Sequence, residues 1–199
     1  MIILDKENPR MTLDKAITSY EVDLTWAPQT RSGEDNDLDM YMAVLGAAKP
    51  VDADLVYHRT KPTEINGVKI IQHPTGCVVY SGDDKTGAKG EKAVIYLDKL
   101  PADKERVSFA VEIAFAESRK QVFSDIESPK ITLTNPITKE VEVRIDLDED
   151  FTTETCMIAF EIYRYGDELK IRRIAQAYKS GLRDFLIEKG FEVAPRTQV

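Results

Sequence analysis

A positive charge balance is the first thing this chain lacks: 27 Lys and Arg stand against 35 Asp and Glu, a net charge of −8. Phosphate backbones are held mainly by Lys and Arg, so nucleic acid is not an expected partner, while cations are natural ligands. Cysteine is scarce as well. Cys77 and Cys156 each lie in an apolar, strand-like run, where a small thiol serves as a core residue; both are expected to be reduced and buried, with a disulfide as the alternative. The two histidines, His58 and His73, have no Cys or His neighbour at zinc spacing and are read as structural. No apolar run approaches the ~18 residues of a membrane span, so no integral membrane segment is expected. Met1-Ile2-Ile3-Leu4-Asp5-Lys6 lacks the basic start and long apolar stretch of a secretion signal, and a cytoplasmic location is expected. A nucleophile elbow, a phosphate loop and a dinucleotide fingerprint are all missing, which leaves covalent catalysis and nucleotide hydrolysis without support.

What is present is strand periodicity. Tyr20, Val22, Leu24 and Trp26 alternate with Ser19, Glu21, Asp23 and Thr25, the period-2 signature of a strand with one buried face. Val107, Phe109, Val111 and Ile113 repeat the pattern. Residues 38–45 are apolar on both faces after Asp39, which predicts a central strand. Further strands are expected over 54–58, 77–80 and 93–97. Asn66-Gly67 predicts a hairpin, because both residues tolerate positive φ. Hairpins are also expected around Asn135-Pro136-Ile137-Thr138 and around Tyr165-Gly166-Asp167. Val122, Phe123 and Ile126 are spaced as one face of a short helix within 117–126, and Leu182, Phe185, Leu186 and Lys189 mark a terminal helix over 180–189, stopped by Gly190. The reading is all-β, mainly an antiparallel β-sandwich, with a C-terminal helix and a short mid-chain helix. One domain is expected over 1–193, with 194–199 as a frayed tail.

Three acidic groups could carry chemistry. Asp35, Asp37 and Asp39 have the 1-3-5 spacing of an EF-hand loop, but Met40 and Gly46 stand where that motif needs glycine and a bidentate glutamate. In an extended strand Asp37 and Asp39 project to one side and can share an ion if another loop supplies further oxygens. On spacing alone, solvated loop acids rank ahead of an ion site here. Asp83 and Asp84 sit in the glycine-bounded turn Ser81-Gly82-Asp83-Asp84-Lys85-Thr86-Gly87, with Glu91 the nearest further carboxylate. Adjacent carboxylates repel unless a cation, a basic side chain such as Lys85, or water separates them, and a solvated turn and an ion site stand level. Asp146, Asp148, Glu149 and Asp150 read as surface charge, and Lys170, Arg172 and Arg173 as the wet face of a strand.

The chain resembles the TerD family of tellurite-resistance and stress-response proteins over nearly its whole length. The match rests on an ordered set of short pieces: Val22-Asp23-Leu24-Thr25-Trp26, Asp37-Leu38-Asp39, the Ser81 to Gly87 turn, 97–101, 145–155, Tyr163-Arg164, and Ala175-Gln176-Ala177-Tyr178 followed by Ser180-Gly181-Leu182. The resemblance implies a β-sandwich that binds calcium through the Asp-Leu-Asp and Gly-Asp loops, in a bacterial cytoplasmic system of resistance to tellurite and other stresses, with no established catalytic reaction. Asp37, Asp39, Asp83 and Glu91 fall on acidic positions of the family, and Asp84 where the family usually has Asn. Together they form the expected metal set, with Asp35 as a possible addition. The Gly-Asp loop departs from the family pattern. Ala88-Lys89-Gly90 leads straight to Glu91, where relatives usually carry further Asp and Gly, and Lys85 and Lys89 add positive charge.

The expectation is therefore a non-enzymatic, calcium-responsive binding or scaffold protein whose partners are other proteins of the same system. A metal-free interaction module that has lost the calcium site is the alternative, favoured by the short loop. A metal-dependent hydrolase ranks last, because no histidine or second base is placed to help.

Overall fold

The computed structural model describes residues 1–27, 36–81, 90–147 and 153–195. Its strands are β1 (Ile2–Ile3), β2 (Arg10–Thr12), β3 (Ser19–Thr25), β4 (Leu38–Gly46), β5 (Leu55–Val56), β6 (Thr63–Ile65), β7 (Val68–Gln72), β8 (Val78–Tyr80), β9 (Glu91–Tyr96), β10 (Lys104–Ile113), β11 (Lys130–Thr134), β12 (Val141–Asp146), β13 (Cys156–Tyr165) and β14 (Glu168–Tyr178). The helices α1 (Ala116–Arg119) and α2 (Leu182–Glu188) complete the described elements, with three single 3-10 turns. One sheet runs β1-β12-β11-β3-β9-β8-β7-β6 and the other β2-β14-β13-β10-β4-β5. All pairings are antiparallel except β1 on β12.

Alternation puts the core where the sequence pattern expects it. Tyr20, Val22 and Leu24 of β3 face Met40, Met42 and Val44 of β4 and Val107, Phe109 and Val111 of β10 within one buried cluster. Removing this apolar area from water, at about 25 cal/mol per Å², is the main term holding the sheets together. Strands β4 and β10 are buried on both faces, because α2 roofs the outer side of the six-stranded sheet. Leu182, Phe185 and Leu186 pack there on Tyr41, Ala43, Leu45, Ala110 and Ile158. β4 is therefore not the central strand its sequence suggests but lies next to the edge, flanked on its outer side among the described residues by the two-residue β5, and its two apolar faces are explained by the opposite sheet and the helix.

β13 carries a bulge. Its register against β10 sets Phe160 opposite Phe109 and Ile158 opposite Ala110, which makes Ala159 the extra residue, so Ala159 and Phe160 both join the inner core while Ile158 lies under α2. The phase change delivers Glu161 to the outer face, where it meets Ser108 Oγ (2.5 Å), Arg172 Nη2 (2.6 Å) and Lys189 Nζ (3.5 Å). Burial alone would raise the Glu161 carboxyl, but these donors hold it below its ordinary value.

Two local expectations are revised. The segment 117–126 is not one helix: α1 ends after one turn at Lys120, which has φ 54°, and Phe123–Asp125 forms a separate 3-10 turn that buries Phe123. The strand expected over 54–58 shrinks to Leu55–Val56, because Asp52–Asp54 forms a 3-10 turn. The Asn66-Gly67 hairpin is present, with φ of 50° and 79°. Both cysteines are free and buried. The tail beyond Pro195 lies outside the described residues, whereas the Ala194 carbonyl accepts a bond from Arg183 Nη1 (2.6 Å).

A buried polar staple ties the sheets at the β5 and β8 end. Asp54 Oδ1 lies 2.6 Å from Lys104 Nζ and 3.3 Å from His73 Nε2. Nδ1 of His73 accepts from the Thr75 amide, which leaves Nε2–H to donate to Asp54. Burial lowers the His73 pKa below 6.5 and outweighs the pull of Asp54. Burial works the other way on Asp54, but the bonds from Lys104, the Val51 amide and His73 overcome it and hold the carboxyl below 3.8. Both shifts act in one direction. Below pH ~6.5 the unfolded chain takes up a proton that native His73 refuses, so stability falls, by at most about 1.4 kcal/mol per pH unit. Asp54 adds a further loss as pH drops below ~3.8 toward its lower native value. Urea midpoints from pH 7.5 to ~3 should decline, and His73→Gln should flatten the decline between pH ~6.5 and ~5 while leaving the Asp54 limb below pH ~3.8.

Candidate functional site

The acidic residues gather at the opposite end, where β3 finishes and β4 and β9 begin. Strand β3 delivers Trp26, whose Nε1–H donates to the Asn36 carbonyl (3.0 Å). Gln121 Nε2 donates to Asn36 Oδ1 (3.2 Å), and the Ala114 amide to the Asp37 carbonyl (2.8 Å). These bonds hold the backbone of 36–37 against the α1 segment. Asp37 is 5% exposed and Asp39 7%, values that carboxylates rarely reach without compensation. His58 Nδ1 lies 3.3 Å from Asp39 Oδ1, with the His58 ring set edge-on to Tyr41 and Tyr57.

Glu91 is the first residue of β9 and is fully buried. Its Oε1 accepts from Tyr80 Oη (2.5 Å) and its Oε2 from the Met40 amide (2.6 Å), a cross-sheet tie next to Asp39. Glu91 shares its side of β9 with core residues Ala93 and Ile95. Asp39 shares its side of β4 with Tyr41, under α2. The β4 backbone therefore runs between the two carboxyl groups.

The ends of the Gly-Asp loop are fixed at the same place. Ser81 donates to the Lys92 carbonyl through both its amide (2.9 Å) and its hydroxyl (2.6 Å). Gly90 has φ 67°, and a Cβ there would lie 2.4 Å from the Leu24 carbonyl oxygen, so only glycine fits. Asp83 and Asp84 fall within 82–89 and Asp35 within 28–35, outside the described residues. The same holds for Asp148, Glu149 and Asp150, while Asp146 pairs with Arg144 (2.8 Å). Among the described residues no three His, Cys, Asp or Glu side chains are placed to hold a metal ion. Asp37 and Asp39 are hard oxygen donors of the kind calcium takes, but Glu91 already serves two hydrogen-bond donors.

A second group lies under the start of α2. Glu112 pairs in register with Asp39, and its Oε1 accepts the Leu182 amide (2.8 Å), capping the helix. Burial raises the Glu112 carboxyl, against the bonds from Leu182 and Tyr41, and Asp39 adds to the rise. Burial likewise pushes up the Tyr41 phenol and the Cys156 thiol. Sequence reading did not connect Trp26, His58, Glu112 or Gln121 with the acidic loop, because each meets it across a sheet pairing or a long loop.

A β-sandwich with buried carboxylates and loop anchors at one end is a rigid frame of the kind that can carry functional loops. The family model of the TerD domain matches residues 2–188, and the chain belongs to that family. It is 31% identical to general stress protein 16U of Bacillus subtilis (strain 168), covering 96% of this chain and 93% of the relative. It is 30% identical to the tellurium resistance protein TerD of Serratia marcescens, covering 92% and 95%. A solved homologue of telluride resistance protein from Streptomyces coelicolor A3(2) shares the fold, with a TM-score of 0.67 at 20% identity over 90% of this chain and 99% of that one. Among the described residues no helix is long and apolar enough to cross a membrane.

Proposed function

We propose that this protein serves tellurium and general stress resistance in the cytoplasm as a non-enzymatic binding scaffold. In this reading calcium, held between the Asp37–Asp39 segment and the Gly-Asp loop, sets the shape of a protein-binding surface. The observation that carries the reading is the convergence of loop anchors: buried Asp37 and Asp39 lie beside the base of the loop that bears Asp83 and Asp84. Family membership and the names of its relatives support the stress role. Two free, buried cysteines suit a reducing compartment.

A metal-free module is the second reading. It is favoured by Glu91, whose two hydrogen bonds give it a structural duty independent of any ion. The thermal midpoint in EDTA, in 1 mM calcium and in 1 mM magnesium separates the two. A dissociation constant of ~10 µM would add about 2.7 kcal/mol, or roughly 5 to 10 °C at this size. Asp37→Asn and Asp83→Asn should each abolish a calcium-selective rise. No rise in the folded wild-type protein would reject the calcium reading and leave the metal-free one.

A further inference from the structure

A cavity of about 880 Å³ opens between the α1 segment and the start of α2. The half-buried Glu112 lines it, on the end of β10, and Glu117 adds a second carboxylate to the wall. Gln121, only 2% exposed, lines it as well, and its Oε1 is buried with no hydrogen-bond partner among the described residues. An orphaned buried acceptor costs about 1–3 kcal/mol, which a ligand N–H can recover. At the lip stands Phe115, a bulky residue held at φ 57° and 64% exposed, with the Arg119 guanidinium 5.3 Å from its ring centroid. Lys120 and Lys179 complete the rim.

These groups define a ligand. Carboxylates and an orphaned carbonyl oxygen ask for a cationic N–H donor, and an exposed aromatic lip suits the apolar stem of an arginine or lysine side chain. The two rim lysines repel a bare polycation and favour a cation flanked by acidic residues. We propose that this cavity takes a single arginine or lysine side chain of a partner protein, with Glu112 as counter-charge and Gln121 Oε1 as acceptor. The proposal rests on the reading of the protein as a binding scaffold, and does not require calcium.

The test uses an acetylated, amidated peptide with one arginine flanked by glutamates, its citrulline counterpart, and spermidine, each titrated in EDTA and again in calcium. The side-chain amide signals of Gln121 and the Leu182 amide are followed by NMR. The arginine peptide should shift both signals with a dissociation constant of ~1 mM, and the citrulline peptide and spermidine should bind at least about tenfold more weakly. Glu112→Gln, whose amide oxygen can still accept the Leu182 N–H, should weaken the arginine peptide about tenfold. Lys179→Ala should tighten spermidine and loosen the glutamate-bearing peptide, a crossover that does not depend on the Glu112 variant folding. Equal binding of the citrulline peptide, or shifts that bypass Gln121, would overturn the proposal. A calcium-selective rise in thermal midpoint with no Gln121 shift would end this proposal alone, and a Gln121 shift without that rise would reject only the calcium reading.

Discussion

Glu91→Ala should destabilise the protein by about 4 kcal/mol, the cost of leaving two buried donors unsatisfied and a small void behind. The thermal midpoint should fall by roughly 8 to 16 °C. The cost is high because Tyr80 is 3% exposed and Met40 fully buried, so water cannot replace the lost carboxyl oxygens. Glu91→Gln is the informative companion. Its amide oxygen can keep one of the two bonds, so it should recover about half of the loss if Glu91 acts as a hydrogen-bond acceptor. If Glu91 is instead a calcium ligand, Glu91→Gln should weaken calcium binding beyond its effect in EDTA. Thermal midpoints of both variants in EDTA and in calcium separate these roles.

Phe109→Ala should cost about 3–5 kcal/mol, through lost burial and the cavity left at the middle of β10. Phe109 is fully buried and stacks on Phe160 with ring centroids 4.1 Å apart, so its removal also strips a face from the second ring. The urea midpoint should drop with the slope unchanged, because the same surface is exposed on unfolding. Any calcium response should persist in the folded fraction, since Phe109 is central in β10 and the Asp37–Asp39 segment lies at its end. A fall of under 1 kcal/mol would mean that the sheets close onto the void.

The strands with clean alternation were legible because one face of each is buried against the other sheet, as with β3 and its buried Tyr20, Val22 and Leu24. Positive-φ turns were legible too, since Asn66-Gly67 carries its geometry in its residue types. The broken helix at 116–125 was not, because Phe115 and Lys120 both take left-handed backbone and neither residue type signals it. The candidate site was legible only in part. Spacing alone ranks Asp37 and Asp39 as solvated loop acids, whereas both are buried. Glu91 read as a loop acid but is a strand residue whose partners, Tyr80 and Met40, come from both sheets. The link from Asn36 to Gln121 spans 85 residues, and nothing local in either segment announces it.

The bulge in β13 joins two half-strands of opposite phase. Before it, Cys156 and Ile158 offer α2 an apolar roof support; after it, the same sheet surface carries Glu161 with its ring of donors. Regular alternation through 158–162, with no extra residue accommodated, would turn Glu161 inward and Ile162 outward, exchanging a charge for an aliphatic group across the sheet. Any chimera that transplants β13 or β14 from a relative therefore has to be cut on one side of residues 158–160 or the other, since a splice through them would leave the two halves out of step.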